Sequence, residues 1–123
     1  MLTSENRKRI LNQFLINIAG IADKDYQKRI WIRGEGPECD DFDEVCCEFF
    51  PTCEDILQNH KDFWITDNQW IILINFYAYF RVFSDENNWP ERFIETAEWG
   101  QIIQMAKRVL EEFNFQGENE PGK

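Results

Sequence analysis

Cys39, Cys46, Cys53 and His60 follow one another at intervals of seven residues. Thiolate and imidazole are preferred zinc ligands, and a Cys–His pair is a common activated nucleophile, so the series raises both metal and thiol chemistry. Helical geometry argues against each. Seven residues make two helical turns, roughly 10 Å of rise, whereas the ligands of one zinc lie within about 2.3 Å of the ion. The same two turns carry His60 beyond direct hydrogen-bonding reach of Cys53. Cys46 and Cys53 are also too far apart for a disulfide, whose Cα atoms lie within about 7 Å, and the adjacent Cys46 and Cys47 would need a strained ring. The cysteines are therefore expected as reduced thiols filling the interior, and His60 as a polar residue near a helix end.

Carboxylates are the second group with chemical potential. Residues 34–60 carry Glu35, Glu38, Asp40, Asp41, Asp43, Glu44, Glu48, Glu54 and Asp55, and no lysine or arginine. Residues 1–33 are net basic, and the whole 123-residue chain has a formal charge of −10. Asp40-Asp41-Phe42-Asp43-Glu44 lacks the alternating oxygen ligands and central glycine of a calcium loop. Asp41, Asp43 and Glu44 suit a helix N-terminus, where each gains about 0.3–1 kcal/mol from the macrodipole. The others gain nothing local, and like charges this dense repel. Two roles remain: a solvated face that keeps an aromatic-rich protein soluble, or a docking surface for a basic partner. Trp31, Phe42, Phe50 and Trp64, in or beside the segment, supply aromatic anchors of the kind that form interface hot spots when ringed by charge. The negative field would also speed encounter with a positive partner. The same acidity argues against nucleic acid and against anionic membrane surfaces.

Nothing else has a catalytic pattern. One histidine cannot supply the paired Glu-x-x-His motifs of a two-metal helical enzyme. There is no P-loop, dinucleotide fingerprint, nucleophile elbow or zincin motif. Gly34-Glu35-Gly36-Pro37 carries a glutamate and no lysine, which makes a poor phosphate cradle. The expectation is a protein that is not an enzyme and needs no cofactor or metal.

These groups have to be positioned by helices. Thr3 and Ser4 can cap a helix whose apolar stripe runs through Ile10, Leu11, Phe14, Leu15 and Ile18, with Gly20 as its stop. Asp23 caps a second, shorter helix through Tyr26 and Ile30, although Ile30-Trp31-Ile32 also admits a strand. Asp41 with Glu44 forms a capping-box pattern, followed by a stripe from Phe42 to Leu57 in which Pro51 demands a kink or a restart. Thr66 with Gln69 opens a fourth helix running to about Phe83. It is apolar on most sides, so the spacing predicts the central helix of a small bundle. A short turn over 91–94 precedes a last helix capped by Thr96, with Trp99, Ile102, Ile103, Ala106, Val109, Leu110 and Phe113 on one face. The fold expected is all-α, a single-domain bundle of four to five antiparallel helices over 1–113, with 114–123 as a flexible C-terminal tail. Asn12, Gln13 and Asn17 interrupt any signal-peptide core, and 70–83 is too short to span a bilayer; a cytoplasmic location follows as an expectation.

In size, acidity, lack of a catalytic pattern and expected helical bundle the chain resembles the small immunity proteins that bacteria pair with secreted nuclease toxins. Glu48-Phe49-Phe50-Pro51 is similar to the acidic-aromatic-aromatic-proline element of the DNase-colicin immunity proteins, in which tandem tyrosines beside an acidic helix contact the toxin. Phenylalanines stand in for tyrosines here, the chain is longer, and the rest of the helical pattern does not match. The resemblance implies tight binding to a cationic toxin domain, with Glu48, Phe50 and the neighbouring carboxylates at the interface. The expected function is thus an immunity-type inhibitor that occludes a basic protein toxin without chemistry. Its partner-binding residues are expected to be Glu35, Glu38, Asp40, Asp41, Asp43, Glu44, Glu48 and Phe50. The alternative is a self-associating adaptor or structural subunit with a merely solubilising acidic face. No nucleic-acid or membrane partner is expected, and the state is a monomer or a weak homodimer.

Overall fold

A computed structural model describes residues 3–36 and 40–115. Every helix expected from the sequence is present. Helix α1 (Ser4–Ile21) is capped by Thr3, whose hydroxyl accepts from the Asn6 amide at 3.0 Å. Gly20 does not stop it, and the chain turns only after Ile21. Helix α2 (Lys24–Tyr26), capped by Asp23, passes directly into a wide π-helical turn over Gln27–Ile32. The 30–33 segment is therefore helical up to Ile32, and no strand occurs among the described residues. Helix α3 (Phe42–Gln58) starts on Asp41 and runs through Pro51 without restarting. A short 3-10 turn (His60–Phe63) leads to Trp64, which sits in the left-handed region at φ 59°. Helix α4 (Asp67–Glu86) opens with the complete Thr66–Gln69 capping box. Helix α5 (Pro90–Phe93) is a single turn, and α6 (Ala97–Glu112) is capped by Thr96.

The four long helices form a ring in which α1 packs on α3, α3 on α4, α4 on α6, and α6 on α1. Neighbours run antiparallel. Asn17 of α1 reaches Glu48 of α3 while Phe14 stacks on Phe49; Phe42 meets Phe80 while Tyr77 bonds Glu54; Phe83 meets Trp99 while Asn68 bonds Glu112. The interior is largely aromatic, with Phe49, Phe76, Phe80 and Trp99 all fully buried. A ring has no central member, which corrects the expectation for α4. Its inner face packs against α3 and α6, and its outer face is open to solvent.

The π-turn has a tertiary cause. It carries Gln27 fully inside, where the side-chain amide donates to the carbonyls of Gly20 (2.9 Å) and Ile21 (2.8 Å), while its oxygen accepts from the Trp99 indole at 2.9 Å. One side chain thereby satisfies two carbonyls at the α1 C-terminus, which lack intrahelical partners, and locks that end to α6. At the other end of the chain, Asn114 and Phe115 remain part of the packed structure, with Phe115 against the core. The rest of the expected tail, 116–123, lies outside the described residues.

Candidate partner-binding surface

The carboxylates of 34–60 divide by what holds them. Glu35 pairs with the Arg33 guanidinium at 3.1 Å. Asp40 is half-buried, and one of its oxygens accepts from both the Tyr26 hydroxyl (2.8 Å) and the Trp31 indole (3.3 Å). It tethers the approach to α3 and is not a free surface charge. Asp41 is the helix cap, accepting from the Glu44 amide at 2.8 Å. Glu54 accepts from the Tyr77 hydroxyl, and this hydrogen bond is the main reason the phenol's pKa is raised. Glu38 lies outside the described residues.

What remains is a coherent face. Asp43, Glu44, Glu48 and Asp55 are exposed on α3, which contains no basic residue. Positions 44, 48 and 55 share one helical stripe about 16 Å long, with Asp55 also accepting from the Asn59 side-chain amide at 3.2 Å, whereas Asp43 lies on the side of Phe50 and Glu54, toward α4. Glu48 sits where α3 meets α1, held by the Asn17 amide at 2.9 Å. A cleft of about 350 Å³ opens there between the two helices. Its charged lining is Asp23, Asp40 and Glu48, with no lysine or arginine, and the amides of Gln13 and Asn17 line it too. A second groove shares Gln13, Asn17 and Glu48 and extends past Cys47 and Pro51 to Ile10. The result is one trough along the α1–α3 seam, acidic at the α2 end and more apolar at the other.

The aromatic anchors fare differently. Phe50 is only 5% exposed, with its ring against Phe49, Tyr77 and Phe80 and the Arg81 guanidinium 4.8 Å from its centroid. A helix wedged between two neighbours buries a wide arc: Phe49 faces Phe14 of α1 while Phe50 faces α4. Phe50 is thus a core residue and cannot anchor a surface contact, which corrects its assignment as a partner-binding residue. Phe42 and Trp31 are buried as well. Trp64 alone of the four is exposed, with the Lys8 ammonium 5.9 Å from its ring.

Sequence reasoning read Asp23 only as a helix cap and gave Gln13 and Asn17 no role. Their signal is the i, i+4, i+7 spacing of Gln13, Asn17 and Gly20, a polar and small edge along α1 that leaves room beside α3. Lys24 and Lys28, basic residues of the first segment, engage Glu95 at 2.8 and 3.0 Å and, through hydrogen bonds from Lys24 first and Lys28 next, hold its carboxyl down at about 2.

Cys39 lies outside the described residues. Among the described residues no three His, Cys, Asp or Glu side chains are placed to hold an ion. Cys53 is fully buried, and burial raises its pKa; Cys46 is pushed up to about 12, by burial first and then by Asp43. Thiols so raised stay protonated and inert near neutrality. Cys47 is exposed. In a Cys39→Ser chain at about pH 8, a disulfide reagent is therefore expected to titrate one thiol quickly and the other two only on unfolding. Two fast thiols would contradict this burial pattern.

Comparison of the chain with protein-family models, with curated proteins and with solved structures finds no match to any of the three.

Proposed function

We propose that the chain is an immunity-type inhibitor that captures a cation-rich protein toxin through the α1–α3 trough and the exposed carboxylates of α3. The observation that carries this reading is the trough itself, lined by Asp23, Asp40 and Glu48 with no cation among its lining and flanked by Glu44. A concave acidic seam suits lysine or arginine side chains projecting from a convex basic partner. Nucleases fit this role, since a site that binds a polyanion is itself cationic. Inhibition is by occlusion and electrostatic neutralisation, without chemistry. Asp40 and Asp41 contribute field while also holding the fold.

The test is coexpression with the polypeptide encoded immediately beside this chain. Rescue of growth from that polypeptide's toxicity is expected, together with a stable complex on gel filtration whose association rate falls steeply as salt rises. Neither rescue nor complex would end the proposal.

A further inference from the structure

The π-turn does more than bury Gln27: it brings two donors onto one oxygen of Asp40. Tyr26 and Trp31 are five residues apart, which in an α-helix would set their side chains about 140° apart around the axis. In the wide turn, where the Arg33 amide bonds the Lys28 carbonyl five residues back at 3.1 Å, residues five apart lie nearly above one another. The Tyr26 hydroxyl and the Trp31 indole therefore both donate to Asp40 Oδ2, at 2.8 and 3.3 Å. Phe42 and Trp99 back the Trp31 ring at centroid distances of 5.7 and 6.1 Å, so this clamp is rooted in the core. Asp40 Oδ1 accepts from no described residue. Glu48 is held in the same manner, with Oε1 bonded to the Asn17 amide and Oε2 accepting from no described residue. Both carboxylates line the cleft of about 350 Å³. So does the C-terminal end of α1 at Ala19 and Gly20, whose last turn has no basic residue to offset its negative pole.

We infer, resting on the basic partner proposed above, that the cleft receives one of that partner's arginine side chains and that Tyr26 and Trp31 are positioning residues, holding Asp40 for its guanidinium. The ligand class follows from the lining. Every charged group there is a carboxylate, yet among the described residues no three such groups are placed to hold one ion. A compact ammonium would meet one carboxylate at a time, whereas a guanidinium presents five N–H donors in a planar fork that engages separated acceptors together. Ile16, Ala19 and Val45 supply an apolar wall for the aliphatic stem. Arg29, whose guanidinium lies 5.8 Å from the Tyr26 ring centroid, is outside the lining and leaves the cleft open. A carboxylate already fixed through one oxygen loses little further freedom on binding, so the clamp raises affinity without adding charge.

N-acetylarginine amide and N-acetyllysine amide, titrated into the purified full chain, test this with no toxin present. Binding is followed through the NMR signals of the Trp31 indole and of the Gln13 and Asn17 side-chain amides. The arginine compound should bind with a dissociation constant on the order of 10 mM, and the lysine compound at least about threefold more weakly. Tyr26→Phe keeps the ring and the net charge, yet should weaken arginine binding about threefold. Asp40→Asn keeps an oxygen for both donors, so its melting temperature should hold while arginine binding falls about tenfold. Asp25→Asn removes an exposed carboxylate outside the cleft and should have less than about a twofold effect. Equal binding of the two compounds, no saturable shift at these groups up to about 100 mM, or Tyr26→Phe and Asp40→Asn no weaker than Asp25→Asn would each overturn the arginine cleft. Toxin capture by a chain that binds neither compound would end the arginine cleft and leave the proposed function in place. Arginine binding by a chain that captures no toxin would keep the cleft's ligand and end the toxin reading.

Discussion

Trp99→Ala is expected to lower the stability of the chain by about 5 kcal/mol, enough to leave it largely unfolded near 37 °C. The indole is fully buried at the junction of α6, α5, α4 and the π-turn, with ring centroids 4.7 Å from Phe93, 5.4 Å from Phe83 and 5.9 Å from Phe42. Emptying a site of that size in an interior costs about 3–5 kcal/mol. The same change removes the only donor shown to Gln27 Oε1, stranding a fully buried carbonyl oxygen at a further cost of about 1–3 kcal/mol. Small domains hold about 5–15 kcal/mol in all, so a fall in melting temperature of about 20 °C or more is expected. Trp99→Phe separates the two contributions, since it fills most of the space and still strands Gln27. A double-mutant cycle of Trp99→Phe with Gln27→Leu should show a coupling of about 1–2 kcal/mol. Urea unfolding followed by circular dichroism measures each value. A Trp99→Ala chain within about 1 kcal/mol of the parent would mean that the hub does not hold the helices as described.

Local chemistry was the most readable part of this chain. Thr3, Asp23, Asp41, Thr66 and Thr96 each cap the helix that follows, because an N-cap is decided by a side chain and an amide three residues away. The apolar stripes of α1, α3 and α6 were equally plain. The π-turn was not, because its cause is a contact from Gln27 to Trp99, 72 residues distant. Nor could periodicity assign α4 its place. An all-round apolar helix is ordinarily internal, but a ring of four leaves each member an outer face, and that of α4 stays greasy. Phe50 was misplaced for a related reason: a stripe drawn for one neighbour underestimates the arc buried by a helix with two. The acidic segment could be counted from the sequence but not oriented. Asp40 points inward because Tyr26 and Trp31 offer it donors, whereas Asp43, Glu44 and Glu48 have α3 to turn them outward. The cleft itself depends on how α1 and α3 meet, which no single segment encodes.

Reversing the outward charges should separate recognition from folding. In Asp43→Lys/Glu44→Lys/Glu48→Lys, six units of charge change on the exposed N-terminal half of α3 without disturbing Asp40 or the Asp41 cap. Asp43 and Glu44 lie in the first turn of α3, so losing their interaction with the helix dipole costs about 0.3–1 kcal/mol each. Losing the exposed Asn17–Glu48 hydrogen bond costs no more than about 1 kcal/mol. The variant should therefore fold, with far-ultraviolet dichroism unchanged and melting lowered by only several degrees. Electrostatic steering contributes about 10- to 1,000-fold to association rates, and under the proposed function most of that acceleration toward a basic partner should vanish. The salt dependence of the association rate should flatten with it, because the field being screened is gone. In the proposed complex, losing contacts at Glu48 should also raise the dissociation rate, since Glu48 sits on the wall of the trough. Stopped-flow association at two salt concentrations gives both quantities. If the reversed chain binds as fast as the parent and still protects cells, the α3 face is a solubilising surface and the inhibitor must use another side of the bundle.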